Sequence, residues 1–195
     1  MKTLSKLCLL AAAFAASPAA IADAQVRGIA GAGVSFPVGD FANEDLGGAQ
    51  SGGGNVLAGV EWLPAGRNFG LRLDGDFTQF CTTFCDDTGG DLDVKYQVLN
   101  ANLSGILDLP MGTGGTVRPY LLAGVGIYRH KLYGDDVSSA LDDAKNDFGL
   151  SAGLGLNVQV GRVGLFGEGR FHNVLADGPD LQYVPVTLGV RFGGR

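Results

Sequence analysis

The chain has 195 residues, 33 of them glycine, with 20 acidic and 14 basic side chains and a net charge of −6. That acidity argues against a nucleic-acid partner, and the length suits one domain rather than two. No stretch approaches the roughly 20 consecutive apolar residues that a spanning helix needs, so any membrane span must be built of strands.

The first residues read as an export signal. Lys2 and Lys6 precede an apolar run, Leu7 to Ala16, and Ala22-Asp23-Ala24 supplies the small residues of a cleavage site before Gln25. Cys8 lies inside the run without the small residues that precede a lipidated cysteine, so no lipid anchor is expected. Residues 1–24 are therefore expected to be a signal peptide and 25–195 a single domain. Loss of Lys2, Lys6 and Asp23 leaves 171 residues with 12 basic and 19 acidic side chains, a net charge of −7.

From Val26 onward the chain is a succession of segments with a period of two, the mark of strands between an apolar and a polar environment. The first, about Val26 to Phe36, sets Arg27, Ile29, Gly31, Gly33 and Ser35 against Gly28, Ala30, Ala32, Val34 and Phe36, and Pro37-Val38-Gly39-Asp40 breaks it. A long polar connection ends in Ser51-Gly52-Gly53-Gly54. The second, about Asn55 to Leu63, directs Val56, Ala58, Val60 and Trp62 one way and Leu57, Gly59 and Glu61 the other. The short turn Pro64 to Asn68 leads into the third, about Gly70 to Phe80, where Leu71, Leu73 and Phe77 alternate with Arg72, Asp74, Asp76 and Thr78. A row of charges facing inward would ruin the core of a water-soluble protein; it fits the interior of a membrane barrel, whose polarity is inverted.

An acidic connection with Cys81, Cys85, Asp86, Asp87 and Asp91 precedes the fourth strand, in which Leu99, Ala101, Leu103 and Leu107 alternate with Asn100, Asn102 and Ser104. After the compact turn Pro110 to Gly115, the fifth, about Val117 to Lys131, faces Arg118, Tyr120, Gly124, Gly126, Tyr128 and His130 inward, with Leu122 an apolar exception on that side. A third long connection, about Tyr133 to Asp147, carries Asp135, Asp136, Asp142 and Asp143. The sixth sets Leu150, Ala152, Leu154, Leu156 and Val158 against Ser151, Gly153, Gly155, Asn157 and Gln159, Gly161-Arg162 turns the chain, and the seventh sets Val163, Leu165 and Phe171 against Phe166, Glu168, Arg170 and His172. In the last, Tyr183 to Phe192, Val184, Val186, Leu188, Val190 and Phe192 share the lipid-facing parity, and Pro185, which cannot donate to a ladder, is expected near the strand's beginning or at a bulge.

Connections are long after the first, third, fifth and seventh strands and short after the second, fourth and sixth. The pattern predicts an all-β fold, an eight-stranded antiparallel up-and-down transmembrane β-barrel with both termini on the short-turn side, which in bacterial barrels is periplasmic. An even strand number lets first and last pair, leaving no unpaired edge in hydrocarbon.

Arg118-Pro119-Tyr120 leading into Leu122-Ala123-Gly124-Val125-Gly126, then Ala152-Gly153-Leu154-Gly155, Phe166-Gly167-Glu168-Gly169-Arg170-Phe171 and Leu188-Gly189-Val190-Arg191-Phe192 together resemble the small outer-membrane β-barrel family that includes the OmpA, OmpX and opacity-type barrels. The resemblance covers essentially the whole chain after the signal and implies a bacterial outer-membrane location, with no single biochemical activity. It also implies the barrel-assembly machinery as a partner, through the final aromatic residue; here Gly193-Gly194-Arg195 follow Phe192.

The inward set holds Arg27, Arg72, Arg118, Arg170 and Arg191 against Glu61, Asp74, Asp76 and Glu168. Charges in a narrow lumen are tolerable only when paired or hydrated, so they are read as an ion-pair network, with a polar conduit as the alternative. The volume left by Gly124, Gly126, Gly153 and Gly155 is expected to be filled by Tyr120, Tyr128 or Phe166, or else to remain a small cavity. Cys81 and Cys85 are expected to form a local disulfide, ahead of free thiols or a metal site, for which no histidine lies close in sequence. His130 and His172 lack the serine two residues on that would echo the lipid A deacylases, those positions being Leu132 and Val174. The Gly-x-Gly pairs sit within strands without a G-x-G-x-x-G, and Asp86 to Asp93 lacks the EF-hand spacing. No catalytic, cofactor or metal site is therefore expected.

The expected role is structural or surface interaction by a monomer, through acidic outer connections that meet lipopolysaccharide, through shared divalent cations, or a host or surface ligand. A narrow channel for small solutes is the rival reading, and a lipid-modifying hydrolase the third.

Overall fold

The computed structural model describes residues 25–42, 52–81, 95–109, 117–133, 145–175 and 181–193. The expected signal peptide lies outside these residues, as does Cys85 and with it the expected bridge to Cys81. Eight strands run in chain order: β1 (Gln25–Val38), β2 (Gly53–Leu63), β3 (Phe69–Cys81), β4 (Lys95–Asp108), β5 (Val117–Tyr133), β6 (Lys145–Val160), β7 (Val163–Leu175) and β8 (Leu181–Phe192), with a 3₁₀ turn at Gly39–Ala42. Each pairs antiparallel with its sequence neighbour, and β8 returns to pair with β1 from Gly28↔Phe192 to Val38↔Gln182, closing the barrel.

The two short turns whose backbone is described follow local chemistry. Arg67 N–H donates to the Pro64 carbonyl at 3.2 Å, with Gly66 at φ 70°, and joins β2 to β3. Gly161 at φ 61° supplies the positive angle that the two-residue β6–β7 hairpin requires at its first central position.

Several strand bounds differ from those read in the sequence, for one reason. Alternation marks only the part of a strand in contact with lipid, whereas β4, β5 and β6 continue past that band to Lys95, Tyr133 and Lys145, where water permits polar residues on both faces. β1 likewise continues through Pro37 to Val38. Its ladder with β2 stops at Ser35↔Gly53, so Pro37 needs no donor on that side.

Pro185 is neither at the start of its strand nor at a bulge. It lies opposite Ser35 of β1 within an unbroken ladder. On the β7 side, Gly169↔Val186 and His172↔Tyr183 hold one register while the two positions between them are unpaired. The missing N–H removes bonds without inserting a residue.

The two faces have opposite chemistry. Leu188 is 71% exposed, Leu154 64% and Ile127 63%, whereas Arg72, Asp74 and Arg170 are at most 2% exposed. Val186, Val190 and Phe192 share the outer face with Leu188, and Val184 is half-buried there. Leu122 points inward among Ile106 and Tyr120.

Replacing Leu188 by Arg is expected to cost roughly 2–4 kcal/mol if the position lies near the bilayer midplane. Thr187→Val, one residue away on the inner face, strips the Asn55 amide of a 2.7 Å partner and should cost about 1–3 kcal/mol. Denaturant unfolding in lipid vesicles checks both.

Candidate functional site: the lumen network and its lid

Parity places the charged residues of β2, β3, β7 and β8 inside, and an eight-stranded barrel is narrow enough for opposite strands to touch. β3 and β7 stand across the lumen from each other, and their charges meet directly. Arg72 Nη1 reaches Glu168 Oε2 at 2.6 Å, and Arg170 Nη1 reaches Asp74 Oδ2 at 2.9 Å. Each arginine also holds a carboxylate on its own strand: Arg72 Nε lies 3.1 Å from Asp74, and Arg170 Nη2 lies 3.0 Å from Glu168. Glu61 extends the set, 3.1 Å from Arg191 and 3.9 Å from Arg72. Three guanidiniums thus face three carboxylates, all buried. Tyr120 donates to Glu168 at 2.8 Å, and the Arg191 guanidinium carbon lies 4.2 Å from the Tyr120 ring centre and 5.2 Å from that of Phe166.

Three charges grouped with these in the sequence stand elsewhere. Asp76 is buried but bound by neutral donors, accepting from Thr78 at 2.8 Å and from Asn55 and Asn100 at 3.3 Å. It lies nearer the long connections than Asp74, at a level where the other strands bring amides and hydroxyls. Arg118 is exposed and Arg27 half-buried, both at the short-turn mouth. Each lies close to the beginning of its strand, outside the buried layer, and Arg27 donates to Gln25 at 2.8 Å.

A hydrogen-bonded layer comes next toward the long connections. Asn100 donates to the Tyr183 hydroxyl at 3.0 Å, Asn102 donates to Asn100 at 2.6 Å, and Tyr128 donates to Asn102 at 2.9 Å. With that proton committed, the 2.8 Å contact between Tyr128 and His172 Nδ1 requires the imidazole to donate. His172 also stacks on Tyr183, 4.7 Å between ring centres. His130 sits nearer the rim, 2.8 Å from the Tyr96 hydroxyl and 2.7 Å from Asp147.

Above this layer lies an aromatic lid. Phe41, carried inward by the 3₁₀ turn, packs edge-on against Phe80 at 5.2 Å and Tyr96 at 5.0 Å, beside buried Val98, Val174 and Leu181. Sequence pattern missed this element, because one phenylalanine in a polar connection carries no periodicity.

The inward glycines are filled differently from the expectation. A Cβ at Gly155 would overlap the Tyr120 ring, as expected, but those at Gly124, Gly126 and Gly153 would meet Ser104, Asn102 and Arg170. Tyr128 lies over Gly149 and Phe166 over Gly189. Cross-strand neighbours decide which ring covers which gap, and those depend on register.

No curated protein matches the chain by sequence. Solved structures share its fold. Neisserial surface protein A is 20% identical with a TM-score of 0.54, over 87% of this chain and 96% of that one. A major outer membrane protein from Thermus thermophilus is 17% identical with a TM-score of 0.54, over 87% and 98%. Ail, the attachment invasion locus protein of Yersinia pestis, solved with the heparin analogue sucrose octasulfate, is 15% identical with a TM-score of 0.50, over 87% and 99%. The family described as outer membrane protein beta-barrel domain matches residues 7–192. With an apolar outer face, a closed sheet and a charged interior, the chain belongs to that family and is a protein of the bacterial outer membrane.

Proposed function

We propose that this protein is a plugged, non-catalytic barrel that works through its outer connections, as an envelope or surface-interaction protein rather than a channel. The observation that carries this reading is the pair of ion bridges between β3 and β7 across the lumen, Arg72–Glu168 and Arg170–Asp74, below an aromatic lid. A solute would have to part buried charges, each of which would then stand uncompensated.

The four long connections include Asp40, Glu44 and Asp45; Asp86, Asp87, Asp91 and Asp93; Asp135, Asp136, Asp142 and Asp143; and Asp177 and Asp180. In bacterial barrels such connections face outward, toward lipopolysaccharide phosphates, and carboxylates and phosphates attract each other only through shared divalent cations. Ail, of like fold, was solved with a sulfated heparin analogue. The acidic connections here would repel such a polyanion, which favours a cation-bridged or basic partner. The two histidines support a non-catalytic reading, since His172 is buried between Tyr128 and Tyr183, and His130 is held by Tyr96 and Asp147.

The refolded protein should show no conductance above leak in a planar bilayer; stable unitary steps would establish the channel reading instead. Removing magnesium and calcium from lipopolysaccharide-containing bilayers should lower the thermal midpoint more than for a variant with its outer aspartates changed to asparagine, and an equal drop would count against cation sharing. Arg170→Met leaves Asp74 and Glu168 each short of a buried partner. It should cost about 3–5 kcal/mol in denaturant unfolding.

A further inference from the structure

The short-turn mouth holds a cavity of about 190 Å³ that the proposed role does not use. Four arginines line it, Arg27, Arg118, Arg162 and Arg191, together with Gln25 and Gln159, and its described lining includes no carboxylate. In a chain of net charge −6 this is a local inversion of sign. The four arginines come from β1, β5, the β6–β7 turn and β8, so only barrel closure assembles them.

Arg191 is the built part of the site. It is 5% exposed and forms part of the cavity wall. Its carboxylate partner among the described residues, Glu61, also lies within ion-pair reach of Arg72. Because Glu61 is shared, a bound anion would give the Arg191 guanidinium a further partner of opposite charge.

We infer that this mouth is an anion site for a phosphate monoester or diester, gripped by guanidiniums whose forked N–H groups match phosphate oxygens. Short turns of bacterial barrels lie on the periplasmic side. Exposed Val160, Val163 and Phe192 ring the same end, placing the cavity beside the inner-leaflet headgroups. The phosphate comes from such a headgroup or from a soluble phosphate ester; both present the same chemistry.

The full-length protein, refolded in a non-ionic maltoside detergent, should be titrated with glycerol 3-phosphate by calorimetry and ³¹P NMR. In parallel it should be reconstituted with phosphatidylglycerol and the retained lipid measured by native mass spectrometry. Binding in either arm, weakened at least about ten-fold in the folded R118Q/R162Q double variant and unchanged in R67Q, supports the site. Arg67 belongs to the neighbouring β2–β3 turn and is absent from the cavity lining. Retained lipid without glycerol 3-phosphate binding assigns the headgroup as the source, and the reverse assigns the soluble ester. No binding in either arm, or equal weakening by R67Q, overturns the inference.

Discussion

A peptide N–H in hydrocarbon has nothing to bond with except another peptide, and every feature of this molecule follows from meeting that constraint. The pairing of β1 with β8 removes the last two edges. Pro185 shows how closely the requirement is observed. It lies at the closing seam, yet its ladder with β1 is intact, and the lapse falls on the β7 side, where register is held by the pairs above and below.

Closure with only eight strands has a second consequence. The lumen is too narrow for charges on opposite walls to keep separate water shells. Arg72 and Arg170 on β3 and β7 therefore each bridge to the facing strand while holding a carboxylate on their own, and each of these charges lies between opposite partners. Such an arrangement is weak evidence for net stability, since desolvation offsets much of the attraction. What it does provide is direct contact across the lumen, beside which Tyr120 lies over Gly155 and Phe166 over Gly189.

The two ends differ in sign for the same topological reason. Up-and-down connection sends every odd-numbered connection to one end and every even-numbered one to the other. The acidic segments between strands thus gather opposite a mouth lined by arginines from four separate parts of the chain.

Periodicity alone determined which residues of each strand face lipid, that Leu122 is turned inward, and that eight strands alternate long and short connections, because burial in a two-sided environment writes itself into every second residue. It also grouped the charges of β2, β3, β7 and β8 on one face. It did not separate Asp76, Arg27 and Arg118 from the level of the β3–β7 bridges, because parity states a face and not a height. The Phe41 lid, the choice of ring over each glycine and the β3–β7 bridges were decided only by tertiary structure. The β3–β7 bridges alone join residues 96 positions apart, and register and closure, which no local pattern encodes, set the distance between such residues.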